Sequence, residues 1–542
     1  MKVLVLGGVA AGTKVAAKLL REDRSCEVTV LTKGKDISYA GCGLPYYVSG
    51  VIQEKSELIV NTPEKFAALT GAKVKTETEA VAVHPDRHTV DARDLKTGEV
   101  SEYSYDKLVI ATGASPFVPP ISGLDLKNVF VMRTPDDAIG LRAAVEAGEI
   151  KRAVVAGGGF IGLEVAENLA AKGVKTTVID FAPHVLPNFL DPELSEYVEN
   201  KMADEGIMPM TGVSLEGVEG SGKVEKVLTS KRGMKADALV LAIGIRPNTA
   251  FLEGSGIEMF KGTILTDQYL RTNVPDIYAA GDCAMVSNRQ TGEPAWSPMG
   301  STANIAGRIL ARDIAGREIA YPGVLGTGVA RLPGGLNTGR TGLTETAARA
   351  EGYDVETVIT VVDDKAHYYP GSGLFIIKLT ADKATRKLLG VQVLGTGAVD
   401  KVTDIGVTAI SLGATVDQLA AMDFAYAPPF STAIHPFANS VNVLMNKLDG
   451  GLDSMTPAEY ANGAAEDYEI IDCAINPALP EKKYVDLTKV EGEVPGLAKD
   501  AKLLLVCAKG KRAYLTQNRL KYYGYSNTQV LEGGTTFTEI EE

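Results

Sequence analysis

The chain has 542 residues, of which 45% are apolar and 23% are charged, and its net charge is −13. This length predicts three or four domains, and the acidic balance disfavours nucleic acid or an anionic membrane surface as a partner. Five scattered cysteines do not form a disulfide scaffold, and no apolar run approaches the length of a membrane span. The apolar start ends in glycines, which favours a buried strand over a signal peptide. We therefore expect a cytoplasmic protein.

The first predicted strand, residues 2–6, runs into GGVAAG and then into a helix-like segment. This pattern is typical of a dinucleotide-binding turn, because Gly7 permits the tight turn, Gly12 lets the helix pack on the strand, and the helix offers N–H groups to a pyrophosphate. Val9 replaces the middle glycine, and the next strand ends at Thr32, where an acidic residue usually binds the ribose. The predicted nucleotide contacts are Gly7, Gly8, Gly12, Thr32 and Lys33.

A second copy of the pattern is complete. The strand over residues 153–156 leads into GGGFIG, with glycines at 157, 159 and 162, and the following strand ends at Asp180. A carboxylate at this spacing binds a ribose 2′-hydroxyl and repels a 2′-phosphate. Gly157, Gly159, Gly162 and Asp180 therefore predict an NADH site, whereas a glycine-rich turn without a ligand is the minor alternative.

Two further segments fit a nucleotide-binding protein. Thr112 and Gly113 follow a predicted strand in ATGASP, and Gly281 and Asp282 end another strand in VPDIYAAGD. An acid at such a strand end can bind the ribityl and ribose hydroxyls of a flavin nucleotide, although an isolated Gly-Asp pair is more often a turn.

In this order, the segments resemble the flavin-dependent pyridine nucleotide–disulfide oxidoreductases over roughly residues 1–445. The resemblance implies an α/β protein with two Rossmann-like domains and an α+β dimerisation domain, and hence a homodimer. The domains implied are an FAD-binding domain at 1–118 and 247–320, an NAD-binding domain at 119–246 and a dimerisation domain at 321–447. It also implies that the flavin lies between the nicotinamide and Cys42.

The segment SYAGCG, from Ser38 to Gly43, contains one cysteine, Cys42. It resembles the single-cysteine branch of this family, which contains coenzyme A disulfide reductases, NADH oxidases and NADH peroxidases. In that branch the cysteine forms a mixed disulfide with coenzyme A or becomes a sulfenic acid. We expect Cys42 to have a lowered pKa at a helix N-terminus beside the flavin, with Ser38 in the same motif. Cys26 and Cys283 fit a structural role better.

Two features distinguish these branches. The first glycine loop carries Ala10 and Ala11 where the peroxidases and oxidases carry a histidine. The segments HYYPG and DFAYAPPFS resemble the coenzyme A disulfide reductases, in which tyrosines of the partner subunit reach the thiol site. The matching residues are Tyr368 and Tyr426, with Tyr369 as the alternative to Tyr368 and aromatic packing at a dimer interface as the alternative role.

Three basic residues on the first helix, Lys14, Lys18 and Arg21, match a region that the family uses to bind the phosphates of coenzyme A. A solvated helix face is the other interpretation. His435 lies in a segment similar to the His-Pro motif of the two-cysteine reductases, but no glutamate follows within ten residues, so a structural role is favoured.

The C-terminal part is predicted to contain a linker, residues 448–467, and a small α/β domain, residues 468–542. An apolar strand delivers Cys507 to a short loop before a helix, where backbone N–H groups and cations favour a thiolate or persulfide. The C-x-x-G-x-R pattern resembles rhodanese domains, although Cys473 departs from it, and a degenerate docking module is the alternative. The loop residues predicted to bind anionic sulfur substrates are Lys509, Gly510, Lys511 and Arg512.

The whole chain resembles a coenzyme A disulfide reductase or coenzyme A-dependent NADH persulfide reductase fused to a rhodanese-like domain. The implied cofactors are FAD, NADH and coenzyme A, and no metal site is predicted. The substrates implied are coenzyme A disulfide, coenzyme A persulfide or polysulfide. The alternatives are an NADH oxidase or peroxidase with a cysteine sulfenic acid, and a flavin-based redox or sulfur sensor.

Overall fold

The computed structural model describes residues 1–540, which form two units. Unit 1 contains Met1–Val185 and Met202–Val324, and unit 2 contains Leu186–Lys201 and the chain from Leu325 onward. Residues 541 and 542, at the end of the predicted C-terminal domain, lie outside the described part. Within residues 1–540 no helix combines the length and the apolar character needed to cross a membrane.

The N-terminal part of unit 1 begins with the predicted strand and helix. Its elements are β1 (Lys2–Leu6), α1 (Ala10–Glu22), β2 (Glu27–Leu31), α2 (Leu44–Ser49), α3 (Lys55–Leu58), α4 (Pro63–Thr70), β3 (Lys73–Lys75), β4 (Thr78–His84), β5 (Thr89–Asp94), β6 (Val100–Ser104), β7 (Lys107–Ile110) and β8 (Ala114–Pro116).

The middle of the chain repeats the strand–helix–strand pattern. Its elements are β9 (Val129–Val131), α5 (Pro135–Glu146), β10 (Arg152–Ala156), α6 (Phe160–Ala171), β11 (Lys175–Ile179), α7 (Pro192–Asp204), β12 (Met208–Met210), β13 (Leu215–Glu219), β14 (Lys226–Thr229), β15 (Gly233–Lys235), β16 (Ala238–Leu241), β17 (Ile245–Pro247), β18 (Met259–Phe260), β19 (Thr263–Leu265), β20 (Ile277–Ala279), β21 (Ala284–Ser287), β22 (Pro294–Ala295) and α8 (Gly300–Ile314).

Two parallel five-stranded sheets organise unit 1. Their strand orders are β20-β7-β1-β2-β3 and β12-β11-β10-β16-β9, and each is the sheet of a Rossmann-like domain. The central strands are apolar and buried along almost their whole length, as expected for parallel strands that are covered on both faces. Helix α1 packs on the first sheet through Val15, Ala16 and Leu19. The predicted pair of dinucleotide-binding domains is therefore confirmed.

Unit 2 begins with an antiparallel sheet. Its elements are β23 (Gly328–Arg331), β24 (Asn337–Gly342), α9 (Glu345–Ala350), β25 (Val355–Asp363), β26 (Leu374–Asp382), β27 (Leu388–Gly395), α10 (Val399–Leu412), α11 (Val416–Ala420) and α12 (Pro436–Leu448). The strand order is β23-β24-β27-β26-β25, and residues of α10 and α12 share its apolar core. This arrangement agrees with the predicted α+β domain.

The C-terminal part of unit 2 is a second, smaller sheet with helices. Its elements are β28 (Ser454–Met455), α13 (Pro457–Ala461), β29 (Glu469–Asp472), β30 (Lys483–Tyr484), β31 (Leu503–Val506), α14 (Lys511–Tyr522), β32 (Thr528–Leu531) and α15 (Gly534–Phe537). The sheet is parallel, in the order β28-β32-β31-β29-β30. The segment predicted as a linker, residues 448–467, differs from that expectation, because it supplies β28 as an edge strand and α13 as a helix.

Two buried ion networks hold unit 2 together. Lys378 on β26 pairs with Asp191 at 3.0 Å, with Glu345 at 2.7 Å and with Glu193. Residues 186–201, which the sequence assigns to the NAD-binding domain, therefore belong with unit 2. The second network lies around Glu532.

Glu532 is 4% exposed and connects the small sheet to the antiparallel one. Its carboxylate accepts hydrogen bonds from Lys447 at 2.8 Å, from the Ser454 hydroxyl at 2.6 Å and from the backbone N–H of Ile359 at 2.7 Å. These three donors come from α12, β28 and β25, so the two sheets of unit 2 share a buried polar contact.

Candidate active site

The first glycine turn has the geometry that a nucleotide-binding turn needs. A Cβ atom at Gly7, whose φ is +116°, would lie 2.0 Å from the carbonyl oxygen of Ala111, and one at Gly12 would lie 1.9 Å from that of Gly7. A Cβ atom at Gly8 would meet the side chain of Thr32 at 3.0 Å. Val9 has φ −109°, so the missing middle glycine imposes no left-handed strain. The turn keeps its shape despite this departure.

The residues at the end of β2 differ from an acidic ribose contact. Thr32 is buried, its backbone N–H donates a hydrogen bond to Lys75 O, and its carbonyl accepts one from the N–H of Thr78. Lys33 pairs with Glu79 at 2.8 Å. Neither side chain supplies the carboxylate that usually binds the ribose, as the sequence indicated.

The second glycine turn is built in the same way and leaves space above it. A Cβ atom at Gly157 would lie 2.2 Å from Ala242 O, and one at Gly162 would lie 1.8 Å from Gly157 O, but one at Gly159 meets nothing within 4 Å. The Asp180 carboxylate accepts hydrogen bonds from the N–H groups of Gly158 at 2.6 Å and Ala182 at 2.7 Å. The open side at Gly159 and the fixed carboxylate fit a pyrophosphate and a ribose hydroxyl.

Asp282 is fixed beside two of the other predicted contacts. Arg133 donates to its carboxylate at 2.9 Å, and a Cβ atom at Gly113 would lie 3.2 Å from the same guanidinium. Gly281 has φ +84° and approaches Ala11 on α1. The Thr112 hydroxyl donates to Asn248 O at 2.8 Å. Carboxylate, guanidinium and glycine turns thus meet at the strand ends of the first sheet, and this polar set fits a flavin nucleotide.

Cys42 lies in a single 3-10 turn, Gly41–Gly43, directly before α2. The residue is exposed, and Ser38 four positions earlier has the strained φ of +48°. Packing around the thiol, and then the carboxylates of Glu164 and Asp282, raise the pKa of Cys42, while Arg133 opposes them. This direction is opposite to the lowered pKa expected from sequence, because burial disfavours the thiolate and the two carboxylates add to that effect.

Glu164 was not singled out from sequence. It lies on α6 two residues after Gly162, and the Tyr46 hydroxyl donates to its carboxylate at 3.1 Å. Burial raises the pKa of Glu164 to about 7. A charged residue between the buried Leu163 and Val165 was the available signal. Arg133 was missed as well, since nothing in its local sequence points to Asp282.

Tyr368 and Tyr426 lie together on the surface of unit 2. Their hydroxyl oxygens are 3.4 Å apart, and the side chains are 66% and 49% exposed. The hydrogen bond with Tyr368 raises the pKa of Tyr426. The side chain of Tyr369 is less exposed, at 39%. The two loops chosen from sequence therefore converge, with Tyr368 rather than Tyr369 facing Tyr426.

The basic residues of α1 divide into two sets. Lys18 forms an ion pair with Glu22, which also lies near Arg312 and Arg317. Among residues 1–540, Lys14 and Arg21 form no ion pair, and Arg21 is exposed. Two of the three predicted phosphate contacts thus keep their charge uncompensated.

His435 caps α12. Its Nδ1 atom accepts a hydrogen bond from the N–H of Phe437 at 3.2 Å, and burial lowers the pKa of His435 to about 4. The neutral ring stabilises the start of the helix, which supports the structural role favoured above.

Cys507 follows β31 and is 6% exposed. The backbone N–H of Ala513 on α14 donates to its sulfur at 3.4 Å. The carbonyl of Cys507 accepts from Thr535 N at 3.1 Å, and a Cβ atom at Gly534 would lie 1.9 Å from that carbonyl oxygen. Gly534, at the start of α15, therefore packs directly against the cysteine loop.

The cations around Cys507 are partly engaged. Lys509 pairs with Asp363 at 2.9 Å, and Arg512 donates to Ala474 O at 3.1 Å and to Asp486 at 3.2 Å. Lys511 is exposed, and Gly510 has φ +83° at the start of α14. Lys509 and Arg512 thus stabilise the loop through protein contacts. The sequence predicted instead that both cations bind an anionic sulfur substrate.

Comparison with known proteins decides the family. The pyridine nucleotide-disulphide oxidoreductase family matches residues 1–303, its dimerisation domain matches residues 334–438, and the rhodanese-like domain matches residues 440–536. The chain belongs to the pyridine nucleotide-disulphide oxidoreductases. This is a family of FAD- and NAD(P)H-dependent oxidoreductases, so the predicted fold class, enzyme class and cofactor class are confirmed.

Three similar proteins show how far the likeness extends. The NAD(P)H coenzyme A polysulfide/persulfide reductase of Pyrococcus horikoshii is 35% identical over 82% of this chain and 98% of its own. The NAD-dependent persulfide reductase of A. fulgidus is 34% identical, with a TM-score of 0.94 over 99% of this chain and 100% of its own. The water-forming NADH oxidase of Lactobacillus brevis is 30% identical, with a TM-score of 0.78 over 83% of this chain and 99% of its own.

Proposed function

We propose that this oxidoreductase uses NADH and FAD to reduce coenzyme A disulfide, coenzyme A persulfide or polysulfide at Cys42, and that Cys507 carries sulfane sulfur. The proposal rests above all on one combination: Cys42 is the exposed cysteine among five and lies near Glu164 and Asp282, in a chain that also contains a rhodanese-like domain. The structure of the A. fulgidus persulfide reductase matches 99% of this chain, whereas that of the L. brevis oxidase matches 83% of it.

The first glycine turn and the Asp282 region would hold FAD, through Gly7, Gly8, Gly12, Thr32, Lys33, Thr112, Gly113, Gly281 and Asp282. The second turn would hold NADH through Gly157, Gly159, Gly162 and Asp180. When bound, FAD supplies two-electron chemistry between a nicotinamide and a sulfur centre. The engineered form of the L. brevis oxidase that was crystallised with NADPH carries five replacements, and the spacing of the replaced glycine, aspartate and proline recurs here as Gly162, Asp180 and Pro187, whereas the replaced alanine and methionine do not recur. This match supports NADH as the substrate.

Cys42 acts as the nucleophile towards sulfur. Its thiolate attacks a disulfide, forms a mixed disulfide with one half and releases the other half as a thiolate. The electron pair from NADH then cleaves the mixed disulfide. Coenzyme A disulfide gives two thiols, and the persulfide gives one thiol and hydrogen sulfide. Burial and the carboxylates of Glu164 and Asp282 raise the pKa of Cys42, so protonation of Glu164, whose pKa is about 7, removes one opposing charge and favours attack near neutral pH.

Tyr368 and Tyr426 assist from the partner subunit of a homodimer. In this chain they are exposed and 3.4 Å apart, so one hydroxyl can orient the other as a proton donor. The dimerisation-domain match supports the dimer. Lys14 and Arg21, with Lys18 beside them, would bind the phosphates of coenzyme A.

Cys507 accepts the outer sulfur of a polysulfide or persulfide and presents it to coenzyme A or to Cys42. The N–H of Ala513 stabilises charge on its sulfur, and Lys511 remains open to an anionic substrate. Lys509, Gly510 and Arg512 fix the shape of the loop.

An NADH oxidase or peroxidase is the second candidate, favoured by the likeness to the L. brevis enzyme. Ala10 and Ala11 in the first turn speak against it, because neither side chain can exchange a proton with a cysteine sulfenic acid.

Anaerobic NADH oxidation by the flavin-loaded protein tests the proposal. Coenzyme A disulfide, coenzyme A persulfide and hydrogen peroxide are offered separately to the wild type, to Cys42→Ser and to Cys507→Ser. We expect turnover with the coenzyme A substrates, abolished by Cys42→Ser and retained with the disulfide by Cys507→Ser. Turnover with peroxide alone, or only after air is admitted, would identify the oxidase class instead, and a single slow reduction without turnover would identify a sensor.

A further inference from the structure

The C-terminal sheet places a second cysteine beside Cys507. Cys473 directly follows β29 and Cys507 directly follows β31, and these strands are parallel neighbours in which Asp472 pairs with Val506. The N–H of Cys473 donates to Val506 O at 2.7 Å, which is the ladder bond expected when Cys473 lies opposite Cys507. The two cysteines are therefore the next register pair of the sheet.

Both side chains point to the same face. One apolar cluster contains Ile471, Cys473, Leu505 and Cys507, whereas Leu504 and Val506, which alternate with them along β31, belong to the cluster on the other side. Neighbouring strands lie about 4.8 Å apart. This separation is within the range of about 4.4–6.8 Å between Cα atoms that a disulfide needs. The sheet geometry thus permits a bond between the two sulfurs.

The surroundings give the two thiols different properties. Cys473 is fully buried, and its thiol donates to Ile471 O at 3.7 Å. Burial raises the pKa of Cys473 to about 12, and the neighbouring Cys507 adds to the shift. Cys507 lies instead at the loop, with the N–H of Ala513 directed at its sulfur. Cys473 therefore keeps its proton, while the sulfur of Cys507 has a backbone donor that can stabilise negative charge on it.

We infer that Cys473 is a resolving thiol, which discharges sulfane sulfur from Cys507 as hydrogen sulfide. The inference rests on the proposed role of Cys507. The Cys473 sulfur attacks the Sγ atom of persulfidated Cys507, and the bond between Sγ and the outer sulfur breaks. The outer sulfur leaves as hydrosulfide and takes the proton of Cys473. The sulfane sulfur is reduced to sulfide, and the two cysteines are oxidised to one disulfide.

A small thiol of the coenzyme A class completes the cycle. Two molecules of it reduce the disulfide between Cys473 and Cys507 and become a coenzyme A disulfide, the substrate proposed for Cys42. Because Cys473 holds its proton, its attack is slow at neutral pH compared with that of a thiolate. An external thiol acceptor therefore takes the sulfur first, and the internal reaction clears Cys507 when no acceptor is present.

The test follows one loading of the whole flavin-containing protein. The protein is reduced, freed of reductant under anaerobic conditions, treated with inorganic polysulfide and desalted, without NADH or any thiol. Released sulfide, the mass of the Cys507 peptide and any peptide that joins Cys473 to Cys507 are measured over time. The wild type is compared with Cys473→Ser, Cys507→Ser and the control Cys26→Ser, which removes a buried cysteine of unit 1.

The wild type and Cys26→Ser are expected to release one sulfide and to yield the joined peptide. Cys473→Ser should keep the extra sulfur on Cys507 at least about tenfold longer. The inference is overturned if the wild type keeps the persulfide as long as Cys473→Ser does, or if no joined peptide forms. The joined peptide is measured in the wild type, so it decides the matter even if Cys473→Ser folds poorly. Absence of extra sulfur on Cys507 in every variant would overturn the proposed role of Cys507 itself.

Discussion

The choice between NADH and NADPH should depend on Asp180, at the end of β11. Its carboxylate is held by the N–H groups of Gly158 and Ala182, at 2.6 and 2.7 Å, directly beside the open side of Gly159. A ribose 2′-hydroxyl can donate to this carboxylate, whereas a 2′-phosphate would be repelled by it. We expect Asp180→Ala to weaken the use of NADH and to improve the use of NADPH.

The magnitude follows from two contributions. A hydrogen bond to a charged group contributes about 1.5–3 kcal/mol, so its loss should lower kcat/KM for NADH by about 10–100-fold. Two unit charges about 4 Å apart repel by about 4 kcal/mol near a protein surface, and partial exposure of Asp180 reduces this, so kcat/KM for NADPH should rise by about 10–100-fold. Phe181 is 80% exposed, and Phe181→Arg should add a favourable phosphate contact without disturbing the core.

Steady-state kinetics with each nucleotide at fixed disulfide concentration give both values. Asp180→Asn is the matched control, because it removes the charge and keeps an oxygen that can accept from Gly158. Asn at this position should therefore relax the discrimination against NADPH while the turn stays intact. If neither substitution changes the ratio of the two kcat/KM values by more than about threefold, the carboxylate does not select the nucleotide and the reasoning from its position fails.

Three further changes test other parts of the molecule. Tyr368→Phe combined with Tyr426→Phe should lower kcat with coenzyme A disulfide by at least about 100-fold if the pair donates a proton, whereas Tyr369→Phe should have little effect; equal losses in both would indicate packing. Lys378→Met should cost about 3–5 kcal/mol of unfolding free energy in urea, because it strands buried carboxylates; a loss below about 1 kcal/mol would contradict the buried network. Because the pKa of Glu164 is raised from 4.5 to about 7, the folded state holds its proton longer than the unfolded state, and stability should fall as pH rises between these values. Glu164→Gln should remove that part of the fall in Tm, and an unchanged pH profile would refute the assignment.

The parts of the fold that depend on local backbone geometry were predictable. Each glycine turn places its first glycine against a carbonyl of a neighbouring strand, so no other residue fits, and the spacing to Asp180 reflects one strand–helix–strand unit. The pairing of Tyr368 with Tyr426 was also indicated, because each loop has its own motif.

Contacts between distant parts of the chain were not predictable. Lys378 meets Asp191 far away in sequence, and no local pattern assigns residues 186–201 to unit 2. The strand β28 has two residues, too few for an alternation to be visible. The pKa of Cys42 is raised and not lowered, since it depends on burial of the thiol and on the carboxylates of Glu164 and Asp282, which approach it only in the folded chain.

The position of Glu532 limits how this protein can be dissected. Deleting the chain after Leu448, to study the flavoprotein body alone, would remove the carboxylate that binds Lys447 and the backbone N–H of Ile359. It would leave a mostly buried ammonium with Glu356 as its remaining acidic neighbour and would uncover an N–H group of β25. Inactivity of such a shortened enzyme would then report damage to the sheet that carries Tyr368, and not loss of sulfur transfer. The substitution Cys507→Ser, which replaces one sulfur atom by oxygen, separates disulfide reduction from sulfur transfer without removing this carboxylate.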